Sequence, residues 1–290
     1  MKKVLILMST YNGEKWLKEQ IDSILDSRDV KVDILVRDDG SSDATLSILN
    51  SYKKRDQLNY YVGKNIGPAQ SFRDLIDKCE FGYDAYAYAD QDDIWSENKL
   101  NYATEALETT DVPCLWACGL RKFGNETGGV YCSEERANSL ESILMTFGTS
   151  NGCCMVFNES LLKLLKKTPV GMIDMHDSWT NCICVAYGGK AIIDTRELVS
   201  YRIHSSNVLG YRDSLKKKIQ RGIHPKCLRS QTAKIVLECE EKTKYGQLLN
   251  MYSQPKPLKN RILLLMRKKP DAVTFSEFVK FKIQIALGKY

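Results

Sequence analysis

Val4-Leu5-Ile6-Leu7-Met8, an unbroken apolar run that stops at Ser9-Thr10-Tyr11-Asn12-Gly13, decides the fold class. Consecutive apolar residues bounded by turn formers predict a strand covered on both faces, the habit of mostly parallel sheets. Beyond Gly13, Trp16, Leu17, Ile21, Ile24 and Leu25 recur at three- and four-residue spacing and predict an amphipathic helix. Val32 to Val36 predicts a second strand, Asp38-Asp39-Gly40-Ser41-Ser42 a turn, and Asp43 the start of a helix carrying Leu46, Ile48 and Leu49. Tyr60-Tyr61-Val62, a helix over 68–79 and a strand over 83–89 continue the alternation, so this half reads as α/β with a parallel sheet.

After Leu107 the alternation loosens. Strands are expected over 114–120, 190–194 and 198–203, helices over 139–146, 159–167 and 176–187, and turns at Gly124-Asn125 and Gly128-Gly129. Past Tyr211 the pattern is helical and basic, interrupted at Pro225, Pro255, Pro257 and Pro270.

With 290 residues and 43% hydrophobic content the chain has material for a sizeable core. Its ten cysteines include no C-x-x-C pair, which excludes a small disulfide scaffold and reads as reduced, mostly buried thiols. The first apolar run is too short for a signal peptide, and no stretch approaches the ~20 apolar residues of a membrane span. A cytoplasmic protein is expected. The net charge of +6 is unevenly spread: from Tyr201 onward 20 Lys and Arg stand against 6 Asp and Glu, while residues 1–200 are acidic. A basic end suits nucleic acid, an anionic membrane surface or an acidic substrate, and no recognised nucleic-acid motif accompanies it here.

In open parallel sheets, ligands bind beyond the carboxyl ends of the strands. Three strand ends carry polar clusters: Ser9 to Asn12, Arg37 to Ser41, and Asp90-Gln91-Asp92-Asp93. Crowded carboxylates repel one another, so Asp90, Asp92 and Asp93 suit a divalent cation, and hard oxygen ligands select Mg²⁺ or Mn²⁺. The same spacing also fits a solvated turn or a helix N-cap, and Asp38-Asp39 equally fits an Asx turn. Neither G-x-x-x-x-G-K-[ST] nor a G-x-G-x-x-G after the first strand occurs, which counts against ATPase, kinase and dinucleotide dehydrogenase readings.

Taken in order, Ser9 to Gly13, Arg37 to Asp43, Asn65-Ile66-Gly67, Asp90 to Trp95, Asn151-Gly152-Cys153, His176-Asp177-Ser178-Trp179 and Tyr201 to Val208 resemble family 2 glycosyltransferases. The pattern is most similar to the rhamnosyltransferase-type branch that builds bacterial capsule, O-antigen or cell-wall polysaccharide, and it covers about residues 3 to 210. The resemblance implies a GT-A type fold, with a Rossmann-like mostly parallel central sheet and flanking helices. A nucleotide-sugar half would span 1–107 and an acceptor half 108–210, leaving 211–290 as a basic helical extension.

Carried over residue by residue, Thr10, Tyr11 and Asp39 would contact the nucleoside with Asp38 beside them. Asn12 and Gln91 fall in the same donor-side motifs. Asp90 would lie near the ribose, and Asp92, the second acid of the D-x-D, would bind Mn²⁺ or Mg²⁺, with Asp90 and His204 as further candidates. Asp93 would cap the next helix or support the metal ligands, and Arg73 reads as a surface helix charge. Asp177 would be the general base, His204 would reach the donor diphosphate, and His176 and Trp179 would lie on the acceptor side. Many family members have Glu-Asp where this chain has His176-Asp177, a change the rhamnosyltransferase-like branch shares. The implied reaction moves a sugar, rhamnose from dTDP-rhamnose or a hexose from a UDP-sugar, onto a saccharide or polyprenyl-diphosphate-linked acceptor. The alternative is a catalytically silent nucleotide- or sugar-binding subunit of an assembly complex. The basic extension would hold the protein peripherally on the anionic inner face of the cytoplasmic membrane, pack as structure, or form a homo-oligomer surface.

Overall fold

The apolar run at 4–8 is the middle of β1 (Lys2–Thr10), which lies between β2 (Val30–Asp38) and β4 (Ala85–Ala89), parallel to both, with β3 (Asn59–Val62) parallel outside β2. The structure is a computed structural model and describes residues 1–108, 111–123, 128–129, 133–146, 150–169, 171, 173, 175–204, 228–239 and 241–288. Val4, Ile6 and Met8 join the core on one face of the sheet, while Leu5 and Leu7 join the core on the other. Both faces are covered, which is why the sequence shows no polar alternation there. β4 divides its faces by size: Ala85, Ala87 and Ala89 meet one core, Tyr86 and Tyr88 the other.

Helices α1 (Leu17–Leu25), α2 (Thr45–Lys53) and α3 (Pro68–Lys78) fill the crossovers between these strands, as expected. The second half continues the same sheet through β5 (Ile94–Trp95), β6 (Cys114–Lys122), β7 (Gly128–Gly129), β8 (Met155–Phe157) and β9 (Lys190–Tyr201). Among the described residues the order is β3-β2-β1-β4-β8-β6-β9-β5, with β7 paired to β6. β8 enters antiparallel between β4 and β6, and β5 antiparallel beside β9. These strands of two and three residues are too short to leave a periodic signal in the sequence. Gly128-Gly129, expected as a turn, pairs with Leu120 and Arg121.

The helices α4 (Lys99–Leu107), α5 (Glu134–Ala137), α6 (Leu140–Met145), α7 (Glu159–Lys166) and α8 (His176–Ala186) flank this half. The two strands expected over 190–203 are one. Thr195, Arg196 and Glu197 are exposed and polar, as a turn would be, but the ladder to β6 absorbs them through register shifts at Gly119. Four further helices follow: α9 (Leu228–Leu237), α10 (Gly246–Ser253), α11 (Leu258–Met266) and α12 (Phe275–Ala286). Ser205 to Val208, Gly124-Asn125 and the basic stretch 211–227 lie outside the described residues. The eight described cysteines are buried free thiols.

Arg73 departs from its expected surface position. It is buried on α3 and donates to the carbonyls of Leu165 at 3.1 Å and Thr168 at 2.9 Å, joining α3 to the end of α7, with Asp77 3.1 Å away. The amphipathic spacing of α3 places it on the inner face, where carbonyls at the end of α7 receive it. Arg73→Ala is expected to lower stability by about 3 kcal/mol, read as a lower urea midpoint at unchanged slope; an unchanged midpoint would show that the guanidinium joins nothing.

Candidate active site

The ladder pairs Thr10 with Asp38 and Met8 with Ala89, so the three polar strand ends meet at one edge of the sheet. They wall a cleft of about 560 Å³ together with the start of α8 and the end of β9. Tyr11, Asn12, Asp39, Asp90, Gln91, Asp92, His176, Asp177 and His204 all line it, so residues expected from separate motifs share one cavity. Thr10, Asp38 and Trp179 do not.

The first two exceptions have a common cause. The Asp38 carboxylate is fully buried and accepts from Thr10 Oγ1 (3.0 Å), Ser41 Oγ (2.6 Å), Gly40 N (3.1 Å) and Ser41 N (2.8 Å). Four bonds fill its lone-pair sites, so Asp38 and Thr10 build the turn and are not presented to a ligand. Asp39, its neighbour, points to the cleft. It accepts from Arg37 Nη1 at 2.5 Å and Ile66 N at 2.9 Å on one oxygen, and from Gly67 N at 2.9 Å on the other. Trp179 has no exposed surface; it packs in the core with Arg73 over its ring and is unavailable to a sugar here.

The loops after β1 and β2 fasten each other. Asn12 Oδ1 accepts from Ser42 N (2.9 Å), Gly13 N donates to Thr45 Oγ1 (2.8 Å), and Glu14 Oε2 accepts from Ala44 N (2.9 Å). The Gln91 amide exchanges two hydrogen bonds with the Tyr11 backbone, Tyr11 N to Oε1 at 2.8 Å and Nε2 to Tyr11 O at 3.0 Å, tying β1 to the acidic cluster. Gly13 leaves room there, since a Cβ would displace the Gln91 carboxamide from these bonds. The Tyr11 ring remains half-exposed.

In the acidic cluster each carboxylate has its own surroundings. Burial, then the charges of Asp92, Asp93 and Asp177, push Asp90 well above the ordinary carboxylate range. Asp93 is pushed up to about 7 by burial and by Asp92. It is fully buried and accepts from Arg202 N at 3.0 Å, so it anchors the chain leaving β9 and does not cap α4, whose N-cap is Asn98. Asp93 Oδ2 has no hydrogen-bond partner. Ligand atoms of Asp90, Asp93 and Cys153 lie within 4.8 Å of one another. A hydrogen bond from Cys154 lowers the Cys153 thiol, but burial and the Asp93 and Asp90 charges raise it further, so sulfur stays protonated. Below the cluster lies Lys99, fully buried, its Nζ donating to Cys153 O at 2.6 Å and 3.0 Å from the Trp95 ring centre.

His204 Nε2 sits 2.6 Å from Asp92 Oδ2, and its ring stacks on Trp16 at 4.1 Å. Arg202 donates to Asp92 O at 2.9 Å and pairs with Glu19 on α1. Trp16 and Lys99 carry weight at the site that the sequence reading missed; Trp16 looked like a core position of α1, and nothing local marks Lys99. Arg202 lies inside the Tyr201 to Val208 motif, which gave it no role of its own. His176 is buried against Phe72 (3.9 Å, stacked) and Tyr88 (4.8 Å, edge-on), with neither ring nitrogen hydrogen-bonded. Gly152 makes room for it, as a Cβ there would overlap the imidazole. Asp177 follows in the first turn of α8, where Ser178 N donates to its Oδ1 at 2.6 Å and the helix dipole favours negative charge.

The model of glycosyl transferase family 2 matches residues 5–163, more than half of the chain. The chain belongs to this family. Among curated relatives, the dTDP-rhamnosyl transferase RfbG of Shigella flexneri is 28% identical over 229 residues, 74% of this chain and 77% of its own. Among solved structures, S. aureus TarS 1–349 in complex with UDP-GlcNAc superposes with a TM-score of 0.58 at 16% identity, covering 98% of this chain and 81% of TarS. The mannosyltransferase PcManGT from Pyrobaculum calidifontis, in complex with GDP-Man and Mn²⁺, gives 0.57 at 16% identity, covering 99% and 88%. The sheet and its flanking helices are those of a GT-A glycosyltransferase.

Within this family 2 enzyme His176 is held neutral, its pKa pushed down to about 3 by burial. Between the ordinary value of 6.5 and about 3 the unfolded chain binds a proton there that the folded chain refuses, so this residue lowers stability as pH falls. The raised carboxyls of Asp90 and Asp93 act in the opposite sense and mask it in the wild type. Relative to wild type, His176→Leu is expected to gain about 2 kcal/mol between about pH 7.5 and about pH 5, measured from urea midpoints at both; a pH-independent difference would mean the imidazole titrates normally.

Proposed function

We propose that this protein is an inverting, metal-dependent glycosyltransferase that moves a sugar from a nucleoside-diphosphate donor onto a saccharide or polyprenyl-diphosphate-linked acceptor in bacterial surface polysaccharide assembly. The observation that carries this reading is that Asp92, at the end of the parallel strand β4, and Asp177, at the start of α8, line one cleft. The named donor of RfbG favours dTDP-rhamnose, and the complexes of TarS and PcManGT support a nucleotide sugar in general. Transfer onto a lipid-linked acceptor would take place on the cytoplasmic side, at the inner face of the membrane.

The residues present fit a divalent cation. Three carboxylates crowd one strand end, two of them raised by burial and mutual repulsion, and a buried oxygen of Asp93 lacks a partner. Asp92 would hold Mn²⁺ or Mg²⁺, with Asp90 and His204 beside it, while Asp93 and the protonated Cys153 support them. Bound there, the cation supplies Lewis-acid stabilisation of the charge growing on the leaving diphosphate.

The chain's own groups do the rest. Asp39 has one lone-pair site left after its three bonds, which suits an N–H of the base. The exposed Tyr11 ring offers a stacking surface, and Asn12 shapes the adjoining loop. Asp177 takes the proton from the acceptor hydroxyl as it attacks the face opposite the leaving group, which inverts the anomeric centre. Neutral His176 forms a dry wall next to that base.

Calorimetric titration with UDP, dTDP and GDP, with and without Mn²⁺, is expected to find one nucleotide bound in a metal-dependent way and that binding lost in Asp92→Ala. Asp177→Asn should keep nucleotide affinity within about twofold and lower turnover at least about 100-fold. Full turnover in folded Asp177→Asn would remove it as base, and folded wild type that binds no nucleotide would favour the silent-subunit reading.

A further inference from the structure

Among the described residues, nine of the sixteen exposed large apolar side chains belong to one helical hairpin, α11 and α12. On α12 and its C-cap, Phe275, Val279, Ile283 and Leu287 follow at four-residue intervals along one outward stripe, while Phe281 and Ile285 on the opposite side are buried. α11 repeats the pattern, with Leu258, Ile262 and Met266 outward and Leu264 buried. Each helix is thus apolar on both faces. One face is explained by the core and the other is exposed, with no partner among the described residues.

The hairpin is fixed, so this exposure is not that of a loose end. Arg261 donates to the last carbonyls of α12, Ile285 O at 2.9 Å and Ala286 O, and Lys282 donates to Leu264 O (3.1 Å), Leu265 O and Arg267 O (2.7 Å) at the end of α11. Each helix therefore caps the other. Arg136 holds Ala272 O and Glu277 from α5, and Arg267 pairs with Glu141 of α6 at 2.5 Å.

Charge selects the occupant. Residues 254–288 carry eight Lys and Arg against two acids, and one of those acids, Glu277, is engaged by Arg136. Lys259 and Lys280 are exposed beside the outward stripes, and Lys256 and Lys268 are exposed at the ends of α11. A second copy docked on this face would bring lysines against lysines. A bilayer with anionic headgroups satisfies both features at once, because aliphatic side chains enter the headgroup boundary while lysine stems run along them to the phosphates. No described helix is long and apolar enough to cross the membrane, so the contact lies in its surface plane.

We propose that the outward face of the α11–α12 hairpin docks this protein on an anionic lipid surface. The proposal stands apart from the reading of the cleft, since it uses none of its residues.

The test is co-sedimentation of the full chain with vesicles of phosphatidylcholine alone and of phosphatidylcholine mixed with phosphatidylglycerol. Sedimentation is expected with the mixed vesicles only. It should fall about fivefold for each lysine removed in Lys259→Gln and Lys280→Gln, and at least about tenfold in the triple variant Phe275→Ser/Val279→Ser/Ile283→Ser. Nucleotide titration of the same variants should match wild type, which separates a failure here from a failure of the cleft. If the triple variant does not fold, the lysine variants, altered only at the surface, still decide. Failure to sediment with mixed vesicles, equal sedimentation with both kinds, or binding unchanged in the folded variants would overturn the proposal. So would a lipid-free dimer seen by light scattering and abolished by the triple variant, which would assign the face to a second copy.

Discussion

A buried guanidinium sets the floor of the cleft. Arg37 is 3% exposed at the end of β2, and taking its charge from water is tolerable only because its donors are engaged: Asp39, Asp74, Ser71 Oγ and Lys64 O. That one side chain binds the end of a strand, the loop after β3 and the helix α3. Gly63 leaves room beside it, because a Cβ would push the guanidinium out of this arrangement. Asp39 is then aimed at the cavity by a cation behind it and two backbone N–H groups below it. Lys99 differs: under the acidic cluster burial lowers its ammonium and raises Asp90 and Asp93, and its Nζ donates to Cys153 O rather than to a carboxylate.

The sheet was largely legible because both faces of β1, β2 and β4 are buried and their apolar runs have no competing explanation. The position of the site was legible too, since parallel strands deliver their ends to one edge. What the sequence did not show was the direction of each side chain. Just past a strand end neighbouring side chains leave the pleat and go different ways, so each acidic doublet divides its work: Asp39 and Asp92 face the cleft, while Asp38 builds a turn and Asp93 anchors Arg202. A motif names both members without saying which one a ligand meets. Trp179 was misplaced for the helical version of the same reason, two residues from Asp177 being enough to turn the side chain into the core.

The remaining surprises are long-range. Arg73, Lys99 and Trp16 owe their roles to carbonyls, rings and carboxylates supplied by distant parts of the chain, which no local pattern encodes. β8 slips between β4 and β6 with only three residues, antiparallel to both, which is too short a stretch to announce its direction.

The pairing of Asp92 with His204 also constrains how the protein comes into being. The two residues are 112 positions apart. At a synthesis rate of about 5–20 residues per second, roughly 6 to 22 s separate the emergence of the carboxylate from that of its imidazole. Through that interval the nascent chain displays the acidic end of β4 without the ring that covers it, and without the strand exit that Asp93 anchors. The acidic edge of the cleft is thus completed late on the ribosome, together with β9, the last described strand of the sheet.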